Sequence, residues 1–161
     1  MTANALEVDV SAETGRLPLG RARAAGVARA VLSAEGARRG SLSIAFVSNR
    51  RIAALNRRHL GHAGPTDVIS FPLASAAPGE VQGDIYIAPD VARENARRHG
   101  VPVREELARL VVHGTLHVLG HDHPQGPARE SSPMWRRQEA LLGRALAAAG
   151  ARRAAARGRT R

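Results

Sequence analysis

The segment from His113 to His123 reads HGTLHVLGHDH and holds three histidines at a spacing that fits one metal ion. His113 and His117 lie four residues apart on a predicted helix, which places their Cβ atoms about 5–6 Å apart on one face. Gly120 ends that helix, and a left-handed residue there carries His123 back towards the same ion. Neutral imidazoles suit zinc, and three protein ligands leave a fourth position open for water, as in catalytic sites. The spacing therefore predicts one zinc ion per chain and a hydrolase.

The residues between the ligands refine this prediction. Asp122 is a candidate catalytic residue that either orients a ligand or assists proton transfer, with an exposed turn carboxylate as the alternative. His121 does not fit the ligand pattern. We expect it to face solvent, with a phosphate contact as the less favoured alternative. The metzincin protease pattern H-E-x-x-H-x-x-G-x-x-H has the same spacing but a Glu where this chain has Gly114. Since that Glu is the general base of those proteases, its absence argues against peptide hydrolysis.

Charge points to the kind of substrate. Three neutral ligands leave the charge of the zinc uncancelled, which favours an anionic substrate such as a phosphodiester. All 24 basic residues are arginine, and the formal net charge is +10. Guanidinium groups bind phosphate bidentately, so this composition is consistent with nucleic acid. A genome rich in G and C, which favours Arg and Ala codons, explains the same composition equally well.

Composition also excludes several classes of protein. The absence of cysteine excludes a disulfide scaffold and thiolate metal sites. The first ten residues have neither a basic start nor an apolar run, and no segment approaches the roughly 20 apolar residues of a membrane span. We therefore expect a cytoplasmic protein without a membrane partner.

The apolar pattern predicts one α+β domain over residues 1–150, with a basic, disordered tail over 151–161 that has no apolar face. Four strands are predicted, over 6–10, 41–47, 67–71 and 84–88. Five helices are predicted, over 19–34, 89–99, 102–119 and 133–149, with a short one carrying Ile52, Leu55 and Leu60. Because no helix separates the third strand from the fourth, a mixed sheet packed with helices is expected, with the metal site at the end of a central helix.

Three blocks of sequence then resemble the YbeY family of bacterial endoribonucleases, the rRNA maturation factors. They are LNRRHLGHAGPTDVISFP at 55–72, GDIYIAPDVARENA at 83–96 and HGTLHVLGHDH at 113–123, in the family's order. The resemblance implies a single α+β domain and a zinc ion on the three histidines. It also implies single-strand-directed RNA cleavage, maturation of the small-subunit rRNA 3′ end and a part in ribosome quality control. Ribosomal RNA and the ribosome or its proteins are the partners implied, with no obligate protein partner.

The chain departs from the family at Leu60, where many members carry an arginine implicated in function. Arg57 and Arg58 are the predicted substrate-binding residues that supply the charge nearby. If neither does, the alternatives on the next helix are Arg93, Arg97 and Arg98. Asp67, in the block at 55–72, is interpreted as a turn residue that binds backbone amides rather than substrate.

Two other functions remain open at this point. The first is a metallopeptidase, and the second is a ribosome-assembly factor whose zinc is mainly structural. The sequence does not distinguish water from the RNA 2′-hydroxyl as the nucleophile. Nickel or copper also suits a histidine site, so the metal is predicted as zinc on chemistry alone.

Overall fold

The computed structural model describes residues 5–13, 15–73 and 77–159. The sequence pattern forms four strands: β1 (Leu6–Ala12), β2 (Arg39–Phe46), β3 (Val68–Pro72) and β4 (Glu80–Ile87). The helices are α1 (Arg21–Ala34), α2 (Asn49–Leu55), α3 (Pro89–His99), α4 (Val103–Val118) and α5 (Pro133–Gly158). A π-helical turn (Asn56–Leu60) continues α2, and a 3-10 turn (Gly126–Ser131) precedes α5. The predicted α+β fold is confirmed.

The strands form one mixed sheet in the order β1-β2-β4-β3. β1 and β4 both run parallel to β2, whereas β3 pairs antiparallel with β4. The fourth strand begins at Glu80, earlier than the predicted residue 84, because Gly83 belongs to the strand and does not break it. A Cβ on Gly83 would lie 2.4 Å from Val118 Cγ1, so glycine here permits α4 to pack against the sheet.

Helix α4 is central because it touches the sheet on one side and α1, α3 and α5 on the others. Its apolar positions recur at helical spacing, and those that are buried include Leu107, Leu110, Val111 and Leu116. They join the inward-facing residues of β2 and β4 in the main core. A smaller cluster on the opposite face of the sheet contains Val47, Ile52, Ile69 and Ala88.

The prediction of a disordered tail after residue 150 is wrong for most of that segment, since α5 runs on to Gly158. Residues 151–159 are all exposed. The sequence AGARRAAARG lacks an apolar stripe, but Ala and Arg are strong helix formers and the packed first half of α5 supplies the nucleus. Helix propensity thus extends α5 beyond the residues that pack against the rest of the protein.

Among the residues that the structure describes, none of the helices combines the length and the hydrophobicity that a bilayer crossing demands.

Candidate metal centre

The last two turns of α4 and the reversal after it bring three imidazoles together. His113 and His117 stand on the same face of α4. Gly120 has φ 97°, and the amide of His121 donates to the carbonyl of Leu116 at 3.0 Å, which turns the chain back. The ring centroids are then 4.6 Å apart for His113 and His117, 5.1 Å for His113 and His123, and 4.9 Å for His117 and His123.

One ring nitrogen from each histidine lies within 4.8 Å of the other two. The structure therefore brings together the three residues that the spacing predicted as ligands. His113 is 5% exposed, whereas His117 and His123 are partly exposed. A group bound between them is held from the protein side and remains open to solvent on the other.

Two of the rings contact an oxygen atom, and the third hydrogen-bonds to the backbone. His113 Nδ1 lies 2.7 Å from Oε1 of the buried Gln138. His123 Nδ1 lies 3.0 Å from the carbonyl oxygen of Pro124, and His117 hydrogen-bonds to the backbone of His121. An oxygen acceptor fixes the ring proton on one nitrogen and leaves the other nitrogen unprotonated for a metal. The donor set and its outer contacts thus fit zinc.

Burial keeps the imidazoles of His113 and His117 neutral. It lowers the pKa of His113 to about 4, although the hydrogen bond with Gln138 opposes the shift. Burial and the neighbouring His123 likewise lower the pKa of His117. A neutral imidazole has a lone pair to donate, so the two helical histidines are ready to ligate at neutral pH.

The prediction that His121 faces solvent or a phosphate is wrong. Its Nε2 lies 2.8 Å from Glu35 Oε2, at the end of α1, and Glu35 Oε1 also accepts from Arg137 Nε of α5 at 2.6 Å. Burial raises the pKa of Glu35, but the hydrogen bonds from Arg137 and His121 outweigh it and hold that pKa below its usual value. The same glycine reversal that returns His123 also sends His121 to α1. The end of α1, helix α5 and the loop that carries His121 and His123 are thereby joined.

Gly114 lies where α4 approaches β4 most closely. A Cβ at this position would stand 2.7 Å from Ile85 Cγ2 and 3.2 Å from Ser70 Oγ. Both neighbours belong to the sheet, and Ile85 is fully buried. A glutamate cannot be accommodated here, so α4 carries no general base at the position that the metzincin pattern requires.

A cavity of about 510 Å³ opens beside His113, lined by residues of α3, α4 and α5 and by Arg129 and Trp135. Three of the charged residues that line it are paired with one another, since Arg109 binds Glu106 and Glu139. Arg129 differs. Its buried Nε has no hydrogen-bond partner among the described residues. Its guanidinium lies 6.0 Å from the Trp135 ring, and its charge helps to lower the pKa of both His113 and His117.

The other predicted site residues lie in different surroundings. Arg57 and Arg58 are exposed on the π-helical turn, and neither lines the cavity beside His113. Leu60, at the end of that turn, is 50% exposed. Asp122 Oδ1 accepts the amide of His123 at 2.8 Å. Asp67 accepts from the amide of Val68 and from Asn95, as the turn interpretation expects, although it also lines the cavity.

Comparisons with known proteins show which family the chain resembles. The family model described as Endoribonuclease YbeY matches residues 13–145. An Endoribonuclease YbeY of Carboxydothermus hydrogenoformans is 44% identical over 111 residues, covering 69% of this chain and 76% of the relative. One from Bacillus licheniformis is 37% identical over 151 residues, covering 86% of this chain and 94% of the relative.

The chain belongs to the endoribonuclease YbeY family. A solution structure of a Thermotoga maritima protein also resembles it, with a TM-score of 0.62 and 25% identity over 90% of this chain and 93% of the other. The resemblance inferred from the three sequence blocks is therefore confirmed.

Sequence reasoning within this family missed three residues of the site: Gln138, Arg129 and Glu35. Gln138 reaches His113 across 25 residues of chain, and Glu35 reaches His121 across 86. Neither pair has a local spacing that a sequence pattern could detect. Arg129 was one arginine among many, and only its unpartnered, buried Nε distinguishes it.

Proposed function

We propose that this protein is a zinc-dependent, single-strand-directed endoribonuclease that matures ribosomal RNA in the cytoplasm. Its targets are the small-subunit rRNA 3′ end and RNA subject to ribosome quality control. The observation that carries the proposal is the three-histidine centre, in which the rings of His113 and His123 each contact an oxygen atom through Nδ1. Membership of the endoribonuclease YbeY family supports the choice of RNA as substrate.

His113, His117 and His123 are the residues that would hold the zinc ion. When bound, zinc would polarise a phosphodiester and lower the pKa of a water ligand, because three neutral imidazoles leave its charge uncancelled. Gln138 holds the plane of the His113 ring, and the Glu35–His121 pair holds the loop that carries His123. The partial exposure of His117 and His123 supports access by a polymer substrate.

Arg129 is the residue that we assign to the phosphate beside this centre. Its Nε is unpartnered within the described residues, and guanidinium binds phosphate through paired hydrogen bonds. Trp135 offers an aromatic face next to it, and unpaired RNA bases stack on such faces. Arg57 and Arg58 stay predicted contacts for RNA that extends beyond the cavity.

The test is metal analysis and RNA cleavage on the purified protein, with His117→Ala compared with wild type. Wild type should contain about one zinc per chain and cleave unpaired RNA, and His117→Ala should lose both properties. His62→Ala is the matched control, since His62 is exposed in a loop outside the centre. Cleavage by zinc-free His117→Ala at the wild-type rate would overturn the proposal.

Two further measurements separate the alternatives. Peptide cleavage without RNA cleavage would indicate a metallopeptidase, against which the close contact at Gly114 already argues. A His113 variant that folds, lacks zinc and still supports rRNA processing in cells would indicate an assembly factor with structural zinc.

A further inference from the structure

A second cluster of positive charge lies at the opposite end of α4 from the histidines. A groove of about 1110 Å³ runs along α1, between this helix, the amino-terminal part of α4 and residues 141–153 of α5. We call it the arginine groove, and its arginines are Arg21, Arg23, Arg104, Arg144, Arg152 and Arg153. All six are exposed.

The two ends of the molecule are well separated. The first turns of α1 and α4 both line the groove, and the end of α1 meets the loop after α4 at the Glu35–His121 pair. The two helices therefore run in the same direction. With a rise of about 1.5 Å per residue, Arg104 and His117 lie about 20 Å apart along α4. The end of the groove that holds Arg104 is therefore distant from the metal centre.

The positive charge of the groove is not neutralised by the protein. Elsewhere, exposed arginines pair with nearby carboxylates, as in Arg39–Glu80, Arg51–Glu13 and Arg97–Glu94. Within the described ranges, none of the ion pairs uses an arginine of the groove. Among the described residues that line the groove, the single acidic one, Glu105, already binds Arg109.

The arginines also repel one another. Arg23, and after it Arg104 and Arg157, hold the pKa of Arg153 below its usual value through their charges. Like charges held this close lower the stability of the protein by itself, and bound anions relieve the repulsion. A composition rich in arginine explains many arginines but not their concentration on one surface whose acidic lining residue, Glu105, is already paired.

We infer that the arginine groove binds the phosphate backbone of RNA and anchors a long substrate while a distant part of it occupies the metal centre. This inference rests on the proposed function for the identity of the polymer. The occupant is a polyanion because the rim is cationic. Small residues in the lining, such as Ala145, Ala148 and Ala149, let a backbone approach closely.

The test compares two double variants that lower the net charge equally. Arg23→Ala with Arg153→Ala removes two groove arginines. Arg39→Ala with Arg51→Ala removes two arginines that pair with Glu80 and Glu13. Binding of an unpaired RNA of about 30 nucleotides is measured by fluorescence anisotropy across a salt series, and cleavage of an oligonucleotide of about 5 nucleotides is measured in parallel.

The groove variant should bind the long RNA at least about tenfold more weakly at 0.1 M salt, with the log–log salt slope reduced by about 1.4. The control variant should change far less, and all proteins should cleave the short oligonucleotide equally. Equal binding of the long RNA by the groove and control variants would overturn the inference. So would competition by polyglutamate as effective as that of RNA at equal charge, which would indicate an acidic protein partner. Failure of wild type to cleave either RNA would instead refute the proposed function, and the binding result would still decide the groove.

Discussion

Replacing Gln138 by methionine tests whether the hydrogen bond behind the metal centre prepares His113 to bind zinc. The two side chains meet at 2.7 Å, with His113 5% and Gln138 1% exposed. Methionine has a similar volume and no strong acceptor, so the variant leaves a buried ring N–H without a partner. That loss costs about 1–3 kcal/mol. It corresponds to a zinc affinity reduced by about 10- to 100-fold, as is usual for such outer contacts.

The measurement is the dissociation constant for zinc, obtained by competition with a chelator at pH 7. Gln138→Glu keeps an oxygen acceptor and should bind zinc at least as tightly as wild type. Met134→Leu, a change that nearly conserves volume in the buried part of the same helix, controls for repacking and should leave the affinity unchanged. Equal affinities for wild type and Gln138→Met would refute the reasoning. Equal losses in Gln138→Met and Gln138→Glu would assign the effect to packing instead of the hydrogen bond.

Three further predictions concern stability. Burial lowers the pKa of His113 to about 4, so between about pH 6.5 and 4 the unfolded state binds a proton that the folded state does not. The zinc-free protein should therefore lose about 3 kcal/mol of stability over this range. In urea unfolding, His113→Leu should lack this part of the dependence of stability on pH, and an identical dependence would contradict the assignment. Gly114→Ala should destabilise the protein by about 1–3 kcal/mol, because the added Cβ meets the sheet. Gly143→Ala, in an open part of α5, should instead stabilise it by up to about 1 kcal/mol. Similar melting temperatures for the two variants would contradict the close contact at Gly114. Deletion of residues 151–161 should leave the melting temperature nearly unchanged, since residues 151–159 are exposed, but should weaken RNA binding; a fall of about 5 °C or more would show that this segment stabilises the fold.

The sequence predicts the parts of this molecule that depend on local spacing. Three histidines and Gly120 lie within one helix end and one reversal, so the geometry of a helix and of a left-handed residue is enough to place them together. The family blocks and the alternating strands similarly give the mixed sheet. The early start of β4 was missed because Gly83 interrupts the alternation, and its reason, close packing against Val118, is a contact between distant segments.

The contacts that prepare the site were not predictable in the same way. Gln138 meets His113 only because α5 packs on α4, and Glu35 meets His121 only because α1 ends beside the ligand loop. The arginine groove likewise collects residues from three helices. In each case the side chains come together through tertiary packing, which composition and periodicity do not encode at the level of single pairs.

Asp122 is the remaining candidate for proton transfer, because the close packing at Gly114 denies α4 a carboxylate there. Its Oδ1 accepts the amide of His123 at 2.8 Å, and its charge raises the pKa of the neighbouring His117. Both contacts point to a positioning role. Asp122→Asn keeps an oxygen acceptor but cannot take up a proton at neutral pH, whereas Asp122→Ala removes both functions.

We therefore expect Asp122→Asn to retain zinc affinity and RNA cleavage within a few-fold of wild type. Asp122→Ala should bind zinc about 2- to 10-fold more weakly, because the hydrogen bond that holds the His123 amide is lost. Zinc affinity and cleavage rate are measured separately on each variant, with cleavage at saturating zinc. If Asp122→Asn binds zinc normally but cleaves RNA about 100-fold or more slowly, Asp122 is a general base or acid. The positioning role would then be wrong, and the nucleophile's proton would leave through this carboxylate.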